Sequence, residues 1–571
     1  MTEQQQPETP EARYDSEIVD VQRRMDETWA GDRPVDPGTY PYFNPDYRLP
    51  FKHVGLQKQL FLDNYILDEL IDAERIIPPP QKAEPPLIEF ENLPWERYHS
   101  TSVPAAALYD PDDRLFKMWY KTLVSGNTNT AQGTEVVLCY AESDDALHWR
   151  KPLREDFQPF QDSPKTNIVV RDFDNGTIVL NPDRSNPQRK FLAVYNPSME
   201  ATGRGRRVMS RVAASPDGIS WHVISDDSPF RHHHQMRVIW DDAYKKWVGY
   251  SQASHAFASH LHVRTIGRQE SADFINWSPK QIILSSDWDP NVGPNVEFHT
   301  MSVRKEGGLY IGIVEEAHGE HQWLVNANGS NQRDQFHTKA ALYASRDGHR
   351  FFRADGYQPW ADNGPPGSQY YGYFCHTVAG YLLHRGRMVI PCSAFPHKQR
   401  DTRPAGVSNH APQSSALASR RHVEDLARYG IGSPMMDHVR PDLPVQRSIG
   451  AIVLREDGWA ALRPKYEAGQ VITKQFVFEG NALRVNADCG YGLIRVALLD
   501  SELKPYPGFG LEDSVPIHAP SDQIWHSAEW KNGPDMRRLW NKPVRICFSL
   551  LESNLYGFQF HYQPDTENGG R

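Results

Sequence analysis

The sequence predicts an all-β chain organised around a β-propeller, and two observations carry that reading. The first is a short phrase, Ser-x-Asp with an aromatic four residues after the Asp. It recurs at Ser143–Asp145–Trp149, Ser215–Asp217–Trp221, Ser271–Asp273–Trp277 and Ser345–Asp347–Phe351. The Asp-to-Asp steps are 72, 56 and 74 residues, and each phrase follows a β-rich stretch such as Val136–Ala141 or Lys339–Ala344. Such an Asp accepts nearby backbone N–H groups, Gly supplies a positive φ, and the aromatic packs the turn onto its sheet. One such turn is a hairpin; four in series indicate a radial array of small antiparallel sheets. The second observation is composition. The 571 residues include 39 Gly, 44 Pro and 11% aromatics, as many short strands joined by turns require.

Taken in order, residues 1–50 read as an arm. Ile18, Val21, Met25 and Trp29 form one apolar stripe on a helix, followed by a Pro/Tyr-rich extended stretch. Residues 51–460 carry the propeller repeats, and Arg455–Trp459 reads as a degenerate further repeat without its Ser. Between 396 and 446 the β pattern lapses into polar, Pro-rich sequence with helical spacing over Ser415–Arg428, an insertion of the kind that sits over functional faces. Residues 461–571 return to alternating strands (Gln475–Phe478, Ala482–Asn486, Leu493–Leu499, Val544–Leu550, Tyr556–His561) and predict a β-sandwich.

Net charge excludes some functions. At −10 the chain offers no electrostatic footprint for nucleic acid or an anionic membrane. Five scattered cysteines without a CxxC favour free thiols in a reducing compartment. The polar start lacks the features of a signal peptide, and no run is long enough to span a bilayer, so a cytoplasmic location is expected. The arm and the 396–446 insertion are the expected contacts if the chain forms a homo-oligomer.

Several stretches carry a resemblance: Gln59–Leu67, Leu108–Tyr120, Ser215–Trp221, Pro507–Asp513 and Leu555–Phe560. They are similar to the five-bladed β-propeller glycosidase superfamily of invertases, levanases and arabinanases, over about residues 55 to 562. The resemblance implies a five-bladed β-propeller followed by a C-terminal β-sandwich, and an oligosaccharide substrate. It also implies an Asp in blade one, an Arg-Asp-Pro stabiliser in blade two and a Glu acid in blade three. Arg171-Asp172-Phe173 matches the second phrase in part. Ser100–Pro104 and His232–Met236 stand where the other two would be, so the usual acid/nucleophile pair is not carried over.

The same geometry places the funnel mouth at the starts of the innermost strands: His99–Pro104, Arg171–Ile178, His232–Arg237, Asn295–Met301 and Tyr371–Thr377. Histidines gather there. His234, His299 and His376 are the expected ligands of a divalent metal ion, because imidazoles from different blades converge on the axis. Glu297 and His299 are two apart and share a strand face. Asp172 and Glu297 are the expected catalytic carboxylates, with Glu297 as proton donor beside Phe298 and Met301. His234 and Tyr371 are candidate acid–base groups. His99, Arg268, Glu316 and His318 are expected to bind substrate, Arg268 with Arg264 as a source of cation for a carboxylate. Trp95, Tyr98, Trp288, Trp360, Tyr370 and Tyr371 are rim aromatics that can stack on sugar rings. Three functions fit: a glycoside hydrolase; a lyase in which His or Tyr abstracts a proton from a uronate neutralised by Arg or metal; and a non-catalytic glycan-binding propeller.

Overall fold

The structure is a computed structural model. It describes residues 52–89, 93–96, 98–124, 135–197, 210–230, 236–258, 261–292, 296–319, 336–365, 368–371, 373–375, 377–378, 380–395, 448–518 and 523–563. The chain divides into two units, Met1–His53 and Val54–Arg571. The arm with its apolar stripe, the 396–446 insertion and its helix lie outside the described residues.

Four sheets of four antiparallel strands follow one another in chain order. Blade one holds Tyr98–Asp110, Leu115–Val124, Glu135–Ser143 and Ile168–Arg171. Blade two holds Asp174–Leu180, Phe191–Asn196, Ser210–Ser215 and His222–Ser228. Blade three holds Met236–Asp241, Lys246–Ala258, Leu261–Ser271 and Gln281–Leu284; blade four holds Val296–Glu306, Leu309–Gly319, Phe336–Ser345 and Phe352–Arg353. A fifth sheet runs from Tyr373–Cys375 and Leu382–His384 through Arg387–Phe395 to Ser448–Arg455. Its outermost place is filled by Gln81–Lys82 and Ile88–Glu89, strands that precede blade one in the chain. The ring is therefore closed by non-covalent pairing between the two ends of the propeller.

Strand alternation explains why five sheets pack into one ring. Successive side chains point to opposite faces, so on the second strand of blade one Trp119 faces blade two while Met118 and Tyr120 face blade five. The buried apolar residues fall into matching inter-blade layers: one against two, two against three, three against four, four against five and five against one.

The repeated phrase closes the third-to-fourth-strand turn of blades one to four. In each, Ser Oγ accepts the N–H three residues on, from Ala146, Gly218, Phe274 and Gly348, at 2.8–2.9 Å. The Asp Oδ1 accepts the next two N–H groups. The residue after the Asp has positive φ in all four. Where the aromatic is Trp, its indole N–H donates to that residue's carbonyl at 3.0–3.1 Å. The turn also serves the seam: Trp119 Nε1 donates to Gly218 O at 2.7 Å and Tyr250 OH to Gly348 O at 3.1 Å, each from the preceding blade. Gly218 is required twice over, by φ +82° and because a Cβ would lie 2.5 Å from the Trp119 ring.

Two further sheets share one core. One runs Trp525–Ala528, Ala482–Asp488, Asn554–His561, Ala461–Pro464, Ala73–Ile76, with Gln59–Leu60 also on Asn554–His561; the other runs Leu67–Ile71, Ala468–Thr473, Arg545–Leu551, Leu493–Leu499. Phe476, Phe548, Phe558 and Phe560 fill the space between them. Residues 59–76, read from the sequence as propeller, are thus strands of the sandwich. Short alternating segments show that they are strands but not which sheet they join. Lys58 ties this entry segment to the ring, 2.8 Å from Glu306 of blade four and 2.9 Å from Asp457, in the turn after the third strand of blade five.

At the axis, Arg237 is fully buried. Its guanidinium donates to Thr377 O of blade five at 2.7 Å, to Pro104 O of blade one at 3.3 Å and to Met236 O at 3.0 Å. Ser302 Oγ of blade four also donates to Thr377 O. Replacing Arg237 by Met strands buried carbonyls, each worth roughly 1–3 kcal/mol when unsatisfied. Arg237→Met is therefore expected to lower stability by about 3 kcal/mol or more, read as a drop in the denaturant midpoint with the far-ultraviolet spectrum of the native state retained.

Candidate functional site

First strands start, second strands end and third strands start at one end of the ring. That end collects a cluster from blades three and four. Glu297 and His299 lie near the start of the first strand of blade four, Glu315 near the end of its second strand, and Arg264 near the start of the third strand of blade three. A bulge makes the cluster possible. Phe298 pairs with Glu316 and Thr300 with Glu315, so His299 is the extra residue on its strand. Bulges re-aim side chains in this way.

The contacts are close. Glu297 Oε1 accepts the backbone N–H of Arg264 at 3.2 Å, and its Oε2 lies 3.2 Å from His299 Nε2 and 3.6 Å from Arg264 Nε. His299 Nδ1 lies 3.4 Å from Glu315 Oε1, and its Nε2 lies 3.2 Å from Arg264 Nη1. Glu297, His299 and Glu315 are buried, whereas the Arg264 side chain is 37% exposed. A guanidinium can only donate, so Nε2 accepts from Arg264 and the ring proton sits on Nδ1, directed at Glu315. Burial lowers the His299 pKa below its usual value, Glu315 opposes this and Arg264 adds to it, so the imidazole is neutral at pH 7.

The other expected site residues fall as follows. Asp172 has φ +64° in the turn before the first strand of blade two, at the same end of the ring, and its Oδ2 accepts from Arg211 Nη1 at 2.9 Å. Phe173 beside it is buried and stacks on Tyr195 at 4.5 Å. Glu316 faces away from His299: Arg353 Nη1 reaches its Oε1 at 2.5 Å, and His318 Nε2 lies 3.3 Å from its Oε2. Arg268 is four residues further along its strand than Arg264, roughly 13 Å. It is buried in the seam between blades three and four, with Nη1 2.6 Å from Glu270. Tyr371 lies in the turn leading to blade five, and His99 on the first strand of blade one. His234 and His376 lie outside the described residues.

Of the rim aromatics, Trp95, Trp360 and Tyr370 are core, while Trp288 is 57% and Tyr371 37% exposed. Among the described residues no group of three His, Cys, Asp or Glu is arranged to hold a metal ion. The Arg264 guanidinium on His299 Nε2 supplies a cation where a ligand lone pair would be needed. Arg264 and His299 are polar neighbours of Glu297 beyond the Phe298 and Met301 expected from its own strand. Glu315 and Arg211 are the additions, and Arg264, named from the sequence only beside Arg268, is the cation that reaches the cluster; reading Glu315 required knowing the bulge, because a one-residue shift exchanges 315 for 316 on the facing strand.

No protein-family model matches the chain, and no curated protein matches it. Among solved structures it is similar to a glycoside hydrolase, with TM-score 0.41 and 12% identity over 66% of this chain and 92% of that one. It is also similar to an N-acetylgalactosamine deacetylase from F. plautii, in complex with blood group B trisaccharide (TM-score 0.35, 14% identity, 71% and 96%). A third is a fructofuranosidase from Schwanniomyces occidentalis complexed with fructosylnystose (TM-score 0.37, 11% identity, 83% and 96%). The likeness to these structures is distant and carries no argument about chemistry; the architecture rests on the strand order above.

A neutral buried imidazole has a pH signature. Its pKa lies below 6.5 in the fold, so on acidification through 6.5 the unfolded chain binds the proton first, and stability falls as pH drops toward the folded value. His299→Asn removes this term. Denaturant unfolding of both proteins from about pH 7.5 to about pH 5 is expected to show the wild type losing more stability than the variant.

Proposed function

We propose that the chain is a carbohydrate-active enzyme that cleaves a glycosidic bond, with the Glu297–His299 pair as its proton donor. The observation that carries the reading is the buried contact of Glu297 Oε2 with His299 Nε2, flanked by Arg264 and Glu315. Two acceptors 3.2 Å apart are reconciled by a shared proton or by the bridging guanidinium. A proton carried on Glu297 can be delivered to a leaving oxygen and recovered. Glu315 fixes the imidazole tautomer from the other side.

Glycoside hydrolysis needs a second carboxylate to stabilise the oxocarbenium-like transition state or to activate water. Asp172 fills that role in this reading. It stands on blade two, which adjoins blade three rather than blade four, leaving the funnel between the two carboxylates for a sugar. With no Asp at 100–104 in blade one to act as nucleophile, direct attack of water with inversion at the anomeric carbon is the reading preferred. Trp288, exposed just before the first strand of blade four, supplies an apolar face for a sugar ring outside the reacting one. The expected divalent metal stays a proposal for His234 and His376.

One observation favours elimination as a second reading. A neutral imidazole is a base, and a part-exposed guanidinium beside it suits the carboxylate of a uronate. Product analysis separates the two: reducing ends without ultraviolet absorbance of an unsaturated uronate mean hydrolysis, and the chromophore means elimination. Neither product from a broad panel of oligosaccharides would leave the binding-only reading.

Glu297→Gln and Asp172→Asn are each expected to cut turnover by about 10² or more with unchanged unfolding midpoints. Trp288→Ala is expected to raise KM about tenfold while changing kcat little, because stacking outside the reacting ring is uniform binding. Full turnover in both carboxylate variants contradicts the assignment.

A further inference from the structure

At the end of the propeller opposite the funnel, blades one and two leave a cleft of about 360 Å³. The third-to-fourth-strand connection of blade one lines it with Asp156, Phe157 and Gln158, and blade two lines it with Gln188, Trp221 and His222. That volume is at the small end of small-molecule sites, roughly 300–1,000 Å³.

The lining is polar yet electrically quiet. Asp156 is paired with Arg154, whose Nε donates to it at 2.8 Å and whose guanidinium stacks 4.9 Å from the Phe157 ring. The side chains of Gln158, Gln188 and His222 are exposed and make no hydrogen bond to the described residues. Trp221 is half-buried, and its indole N–H is held by Gly218 O at 3.0 Å, so the ring is fixed before any ligand arrives. Fixed aromatics with amide donors and acceptors around them bind at low entropic cost. The two Gln amides each offer donors and acceptors without charge, the match for vicinal hydroxyls rather than for an acid or a phosphate.

We infer that this cleft is a second binding site, for a neutral sugar ring, with Trp221 as its stacking face and Gln158 and Gln188 as its hydrogen-bonding pair. It lies on the opposite end of the propeller from Glu297 and its occupancy does not require turnover. A polymeric carbohydrate can therefore be held there while another part of it, or another chain, reaches the funnel.

The test follows the Trp221 indole N–H signal of the full chain by nuclear magnetic resonance, identified by its loss in Trp221→Phe. The ring position itself tolerates Phe, since Phe351 occupies it in blade four. The probes are the methyl pyranosides of glucose, galactose and mannose and methyl fructofuranoside. At least one is expected to move the signal with a saturable, millimolar midpoint. Gln158→Ala combined with Gln188→Ala should weaken that midpoint about tenfold or more, as the loss of two hydrogen bonds implies. Glu297→Gln should leave it unchanged, which separates this site from the chemistry of the funnel. A signal that no probe moves, or a midpoint unaltered in the double variant, overturns the inference.

Discussion

The fold depends on one buried cation. Five sheets arranged around an axis bring their first strands together, and buried carbonyls of blades one, three and five meet there. Arg237 answers that constraint by donating to blade one, to blade five and to its own strand, while Ser302 of blade four joins at Thr377. A guanidinium suits the place because it presents five donors in a rigid plane; a Lys would offer a point charge and no fixed spread. Ser302 lies three residues along the strand from His299, roughly 10 Å deeper. The same layer that closes the axis therefore lies beneath the Glu297–His299–Glu315 cluster.

Around this axis the seams repeat one device. The Ser-x-Asp turn satisfies its own N–H groups from two side chains, which frees its positive-φ carbonyl to accept an aromatic N–H or O–H. The fifth blade breaks the pattern. Asp457 has φ +60° at the equivalent turn, but it is buried against Lys58 instead of capping a hairpin, and the chain leaves for the sandwich. Burial alone would lower the Lys58 pKa; Asp457 and Glu306 together raise it above its usual value, so the ammonium is held charged. Removing either partner would leave a buried charge poorly matched, a loss larger than any surface ion pair carries.

Much of this was legible in the sequence. The four phrases gave the blades, and the inner-strand start placed at Asn295–Met301 agrees with the strand Val296–Glu306. What failed to show had a physical cause in each case. The sandwich strands at 59–76 are too short to declare their sheet. Glu315 was hidden by a bulge that only pairing reveals, and Arg264 was indistinguishable from Arg268 because a strand of both cations reads the same at either depth. The apolar setting expected for Glu297 came from its sequence neighbours Phe298 and Met301, whereas its polar neighbours arrive from blade three and from two residues along its own strand.

The central claim is that His299 sits neutral between two glutamates and a guanidinium, poised to share a proton with Glu297. The most direct measurement is the ¹⁵N chemical shifts of the His299 ring, assigned by His299→Asn, in the full chain at neutral pH. A protonated, pyrrole-like Nδ1 with an unprotonated, pyridine-like Nε2 is the result this account predicts. An imidazolium with both nitrogens protonated, or the proton on Nε2, would contradict it.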